Sequence, residues 1–206
     1  MVEEPVFFES TNIKIEGLFC LTPGDRGVVI THPHPLYGGN MYNNIVESLV
    51  RIYQLVGYTT LRFNFRSVGS SEGEYDNGMG EKEDVKASLH YLTQKGKKLL
   101  DLAGYSFGSW VNALAISEVD TVDRMVMISP PVAFMDFNSV GPTPQIQFVV
   151  AGNQDQIAPP DVIKNLLPAW NPRAHLEVID GADHFYVGYT GKLESLVAAY
   201  LKDHGA

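Results

Sequence analysis

The sequence predicts an α/β protein: a mostly parallel, twisted sheet of about seven or eight strands with helices on both faces, its first strands antiparallel. Three observations predict it. Short β-branched and aromatic runs alternate with longer stretches of helical period from residue 27 onward. The two earliest runs alternate with period two, as half-exposed antiparallel strands do. Several later runs are continuously apolar, the pattern of strands buried on both faces.

The elements follow in order. Val6–Phe8 and Ile13–Leu18 read as the antiparallel pair, and Gly27–Thr31 as the first buried strand. Residues 41–56 place Ile45, Leu49, Ile52 and Val56 on one helical face. Tyr58–Phe65 is a strand, and Glu81–Gln94 a helix with Val85, Leu89 and Leu92 on one side. Strand Leu99–Ala103 precedes helix Trp110–Ile116. Strands Met125–Ile128 and Ile146–Val150, helix Val162–Leu167, strand His175–Ile179 and helix Leu193–Leu201 complete the pattern. Glycine and proline are scattered through the chain and mark no linker, so residues 1–206 are expected to form one domain. On such a sheet, reactive groups belong on loops at the C-terminal ends of the strands.

Composition removes several function classes. The chain has 24 acidic against 15 basic residues and a net charge of −9, which attracts neither nucleic acid nor an anionic membrane. No apolar run approaches the roughly 18 residues that span a bilayer. The acidic start Met1–Pro5 lacks the basic and apolar regions of a signal peptide. A single cysteine, Cys20, excludes an internal disulfide and reads as a small buried apolar residue. The expected location is the cytoplasm. Nothing in the composition fixes an oligomeric state.

Gly104-Tyr105-Ser106-Phe107-Gly108 sits between a predicted strand and a predicted helix. That is the setting a G-x-S-x-G turn requires. The turn is too tight for side chains two residues either side of the serine, so glycine stands at both places. It pushes the hydroxyl out at the strand end. The Phe107 amide, starting the next helix, is placed to donate to a developing oxyanion.

With these flanks the chain resembles an α/β-hydrolase over nearly its whole length. The resemblance implies a nucleophile, an acid and a histidine in that order, each after its own strand. The histidine is His184 in Gly181-Ala182-Asp183-His184-Phe185, after the strand ending at Ile179. His175 lies within a strand pattern and His204 close to the C-terminus. The acid is Asp155, in a G-x-x-D loop after Ile146–Val150; Asp136, after the preceding strand, is the competing choice. A serine hydroxyl needs a base to act near neutral pH. His184 would take its proton, and Asp155 would hold the imidazole tautomer.

The family's second oxyanion amide lies after the first buried strand, next to a His-Gly pair. Here the segment is His32-Pro33-His34-Pro35-Leu36-Tyr37-Gly38-Gly39. Proline has no N–H to donate, which leaves Leu36, the preferred choice, or His34. His32 and His34 would share a strand face, as a metal pair would, but no third ligand stands at a telling spacing; neither metal nor cofactor is expected. Asn64-Phe65-Arg66-Ser67-Val68-Gly69 resembles the family's D-x-R-G-x-G loop, departing at Asn64 and Ser67. Arg66 is expected to brace that loop, or else to meet an anionic substrate group.

Only about a dozen residues, Val132–Thr143, occupy the place where relatives insert a lid. An open, lidless site follows. Tyr37, Tyr105, Phe134, Phe137 and Phe185 are the candidates to line it. The expected function is a serine hydrolase of the carboxylesterase type, cleaving small carboxylic esters or thioesters through an acyl-enzyme on Ser106. A peptidase acting on short peptides and a non-catalytic binding module on the same scaffold are the alternatives.

Overall fold

The computed structural model describes residues 1–204. Eight strands form one sheet in the order β1-β2-β4-β3-β5-β6-β7-β8. They are β1 Glu4–Ser10, β2 Ile13–Cys20, β3 Arg26–Thr31, β4 Thr59–Phe63, β5 Leu99–Tyr105, β6 Val122–Ile128, β7 Ile146–Gly152 and β8 His175–Ile179. The β1–β2 and β2–β4 pairs are antiparallel, and every later pair is parallel. The helices are α1 Asn44–Leu55, α2 Met79–Gln94, α3 Phe107–Ile116, α4 Pro160–Trp170 and α5 Thr190–His204.

Side chains alternate across the sheet and divide the core in two. Val28, Ile30, Ala103 and Val126 point into a core closed by α1 and α5. Val29, Leu102 and Met125 point into the other, closed by α2, α3 and α4. Helices therefore cover both faces, and no helix occupies the β6–β7 connection. None of the described helices is long and apolar enough to cross a membrane.

Element ends differ from the sequence expectation in informative ways. Helix α1 begins at Asn44, because the Asn43 side chain accepts the Ile45 N–H and caps it. Helix α3 begins at Phe107, three residues earlier than apolar periodicity indicates, because the turn at Ser106 leads straight into it. The register aligns Thr31 with Gly104, Tyr105 with Ile128, and Gly152 with Ile179. The C-terminal ends of β3, β5, β6, β7 and β8 thus form one rim, on which Ser106, Asp155 and His184 all lie.

Candidate active site

Ser106 has φ 53° and ψ −120°, a left-handed conformation costly for a residue with a Cβ. Its N–H donates to the Ile128 carbonyl at 2.9 Å, tying the turn to β6. The flanking glycines are needed for reasons that differ from the expected crowding around the serine. A Cβ on Gly104 would lie 2.6 Å from the Ser109 nitrogen, in the first turn of α3. A Cβ on Gly108 would lie 2.7 Å from the Thr31 carbonyl oxygen, on β3. The second glycine admits the helix against the neighbouring strand and does not relieve the serine itself.

The His184 ring stands between Ser106 and Asp155. Its Nε2 is 2.9 Å from Ser106 Oγ, and its Nδ1 is 3.0 and 2.9 Å from the two Asp155 carboxylate oxygens. An ionised carboxylate only accepts, so Nδ1 carries the proton and Nε2 presents its lone pair to the hydroxyl. Asp155 Oδ1 also accepts the Ile157 and Ala158 amides at 2.9 and 2.8 Å. Burial acts to raise the Asp155 carboxyl, but the bonds from His184 and Ala158 outweigh it and hold the group below the ordinary carboxylate range. The competing Asp136 is exposed on the β6–β7 loop, where it accepts the Asn138 N–H.

The acid and histidine loops are fastened directly to each other. The Asn153 and Gln154 amides donate to the Ile179 and Ala182 carbonyls at 3.1 and 2.9 Å. A Cβ on Gly152 would sit 2.1 Å from the Ala182 oxygen, so only glycine permits this approach. Two buried tyrosines support the pair. Tyr105 Oη donates to the His184 carbonyl at 2.8 Å. Tyr186 Oη meets Ser129 Oγ at 2.7 Å and donates to the Val150 carbonyl at 3.3 Å. Burial raises both phenols well above their ordinary range, so they remain neutral donors. The Tyr186 brace has no sequence signal, since its partners come from β7 and from the residue that follows β6.

The Phe107 N–H opens α3 and has no acceptor among the described residues. On the β3–α1 loop, Leu36 does not fit the expectation placed on it: its N–H donates to His34 Nδ1 at 3.2 Å. The amides of Tyr37 and Gly39 are spent on the His34 carbonyl and that of Gly38 on the Pro35 carbonyl. The His34 N–H is not so committed, nor is that of Asn40 farther along the loop. Because His34 Nδ1 accepts, its Nε2 carries the proton and donates to Tyr75 Oη at 3.2 Å. The same ring packs on Phe107 with centroids 4.7 Å apart, and burial lowers its pKa. His32 is fully buried. Its Nδ1–H donates to the Pro33 carbonyl and its Nε2 accepts the Phe65 N–H, so both nitrogens serve the fold.

Arg66 grips Asp84 through Nε and Nη2 at 3.1 and 2.8 Å and has the bracing role. Ser67, where the family's loop has glycine, adopts φ 68°. Asn64 accepts the Met41 N–H and donates to Glu16. Cys20 is buried.

The five aromatic candidates divide. Tyr37, Phe134 and Phe185 are 87%, 72% and 62% exposed around the mouth, and the Phe185 ring meets that of His184 edge-on. Phe137 is core, packed on Trp170, and Tyr105 is the buried brace described above. Both corrections have one cause: an aromatic near a strand end is taken by the nearest apolar layer unless its backbone directs it outward. A cleft of about 370 Å³ between Pro160, Lys164 and Val178 reaches Asp155, and neither Ser106 nor His184 lines it.

No protein-family model matches the chain. A structure described as an α/β serine hydrolase homologue from Coxiella burnetii is 32% identical, with 98% of both chains covered and a TM-score of 0.89. An α/β serine hydrolase without a lid, from Xanthomonas campestris, is 27% identical over 98% of this chain and 95% of that one, with a TM-score of 0.89. An uncharacterized protein of Rickettsia prowazekii is 34% identical over 95% of this chain and 87% of its own length. The chain belongs to the α/β-hydrolase superfamily, among its lidless serine hydrolases. An esterase of Pyrococcus furiosus, 21% identical over 98% of this chain and 92% of its own with a TM-score of 0.82, shares the fold.

Proposed function

We propose that the chain, as one cytoplasmic domain, is a carboxylesterase-type serine hydrolase that cleaves small carboxylic esters through an acyl-enzyme on Ser106. The observation that carries this reading is the unbroken contact from Ser106 Oγ through both nitrogens of His184 to the Asp155 carboxylate. Ser106 Oγ attacks the ester carbonyl while its proton passes to His184 Nε2. The carbonyl oxygen becomes an oxyanion that accepts from the Phe107 and His34 N–H groups; each such donor is worth about 2.7–4 kcal/mol in the transition state. Collapse of the adduct breaks the bond to the alcohol, which leaves with the proton from His184. Water then attacks the acyl-enzyme, giving up its proton to His184 and releasing the acid and the free serine. Tyr37, Phe134 and Phe185 provide apolar surface for the acyl or aryl group.

The test is pre-steady-state hydrolysis of 4-nitrophenyl acetate. A burst of 4-nitrophenolate equal to the enzyme concentration, and covalent labelling of Ser106 by a fluorophosphonate, are expected. Full turnover by Ser106→Ala defeats the assignment.

A further inference from the structure

The β3–α1 loop is fixed at both ends and tethered once between them. At one end, His32 Nε2 accepts the Phe65 N–H at 3.0 Å. At the other, the Met41 N–H donates to Asn64 Oδ1 at 2.8 Å, and the Met41 carbonyl accepts from Arg62 Nη1 at 2.9 Å. Residues 33–40 bond to one another and to residues 32, 42 and 43, with one exception. Among the described residues, the single hydrogen bond that leaves this segment runs from His34 Nε2 to Tyr75 Oη, at 3.2 Å. It falls on the residue whose N–H the proposed mechanism uses. The other hydrogen bonds of His34 come from within its own loop: its carbonyl accepts the Tyr37 and Gly39 amides, and its Nδ1 accepts that of Leu36.

Tyr75 can serve as a tether because its own surroundings are fixed. The buried Glu81 carboxylate, in the first turn of α2, accepts the Asp76 and Gly78 amides at 3.0 and 2.7 Å. A Cβ on Gly78 would lie 2.4 Å from the Trp110 ring, so the turn after Tyr75 rests directly on α3. The Tyr75 ring lies beside those of His34 and Phe107, with centroids 5.3 and 6.1 Å away. Burial, and after it the Glu81 charge, raises the phenol above its ordinary range. It therefore stays neutral, with a lone pair to accept the imidazole N–H.

We infer that Tyr75 is a positioning residue of the oxyanion site: by accepting the His34 Nε2–H it holds the imidazole where Nδ1 meets the Leu36 N–H, and so fixes the place of the His34 N–H. The inference rests on the esterase reading and adds to it a residue that acts through His34. The physical reason is preorganisation. An oxyanion donor lowers the barrier most when it stands in place before charge develops, and a loop that must first be ordered loses that advantage. With one tether, no second bond compensates for its removal. The uncharged ester carbonyl makes weaker use of the same amide than the oxyanion does, so the effect falls on kcat and spares KM.

The experiment is a double-mutant cycle on 4-nitrophenyl butanoate hydrolysis, with Tyr75→Phe, His34→Ala and the two combined, and rates taken per folded molecule. Phenylalanine keeps the ring and removes the acceptor. Tyr75→Phe should lower kcat about threefold to tenfold, the range of one hydrogen bond between neutral groups, with KM unchanged. Affinity for a trifluoromethyl ketone, which adds to Ser106 and places an oxyanion in the site, should weaken by the same factor. In the His34→Ala background, Tyr75→Phe should change neither quantity, because the tether has already lost its partner. A further measurement is independent of turnover: nitrogen-resolved NMR spectra should show the His34 proton on Nε2. An equal fall in both backgrounds overturns the inference, since Tyr75 would then act independently of His34. So does an unchanged kcat, a rise in KM alone or a His34 proton on Nδ1, and each of these outcomes leaves the esterase reading standing. Absence of Ser106-dependent turnover overturns the reading itself, and the inference with it.

Discussion

Strand β5 ends in two polar networks that make opposite use of their hydrogen-bonding groups. At its N-terminal end, Asp101 Oδ2 accepts from Arg124 Nε and Nη2 at 2.8 and 2.7 Å. Arg124 also donates to Tyr58 Oη at 2.5 Å and to the His204 carbonyl at 3.2 Å, which fastens the end of α5. At its C-terminal end, Ser106 is strained and the Phe107 N–H is left without an acceptor. The lower network is closed on itself and holds the fold. The upper one keeps a donor and a lone pair unspent, and its reactivity lies in that remainder.

Substitutions at the two ends should therefore separate activity from stability. The largest effect is expected from Ser106→Ala: at least about 10⁴-fold lower ester turnover, with no drop in thermal midpoint by calorimetry. Arg124→Met should do the reverse. It strands the buried Asp101 carboxylate and costs about 3–5 kcal/mol in urea denaturation, while the folded fraction keeps its specific activity. Loss of activity per folded molecule would merge the two networks and defeat the comparison.

Acid should sharpen the contrast next. Burial pushes the His32 imidazole down to about 4, below its unfolded value. The unfolded chain then takes up that proton first, and stability falls as pH drops from about 6.5 to 4. Asp101 acts in the opposite sense. Burial outweighs Arg124 and pushes the carboxyl up to about 6, so the folded protein takes up its proton first. The stability this contributes is complete below the unfolded carboxylate value of about 3.8 and is lost as pH rises through about 6. Each is worth about 3 kcal/mol, and the two largely cancel between about pH 4 and 6. Denaturation midpoints should be nearly flat there in the native protein. They should fall on acidification in Asp101→Asn and rise in His32→Gln; identical slopes in all three proteins would remove both assignments.

The smallest effect concerns His34, which ties the two proposed oxyanion amides together. Its ring receives the Leu36 N–H and rests on Phe107, while its own N–H is the second donor in the proposed mechanism. His34→Ala keeps that backbone amide but frees the loop, so kcat should fall about tenfold with KM unchanged. His34→Asn can accept the N–H two residues on, as asparagine does in turns, and should recover most of the loss. A rise in KM alone would place His34 in substrate binding.

Much of this was readable along the chain because it is written locally. Each strand is a short apolar run, and Ser106, Asp155 and His184 each stand in a short motif just after one. What depends on paths between elements was not readable. Whether Leu36 or His34 offers its amide turns on where an imidazole nitrogen points. Phe134 and Phe137 are three residues apart on one loop, yet one faces solvent and the other Trp170. The Tyr186–Ser129 contact joins residues 57 apart in the chain.

The contact of Gly152 with Ala182 has a wider consequence. Because two adjacent parallel strands set the spacing of carboxylate and imidazole, that half of the machinery is a preassembled unit. Ser106, the proposed nucleophile, arrives separately, after a strand two places away in the sheet. A cysteine installed at position 106 would meet the same tautomer in the same orientation, so the scaffold can accept a new nucleophile without rebuilding its proton acceptor.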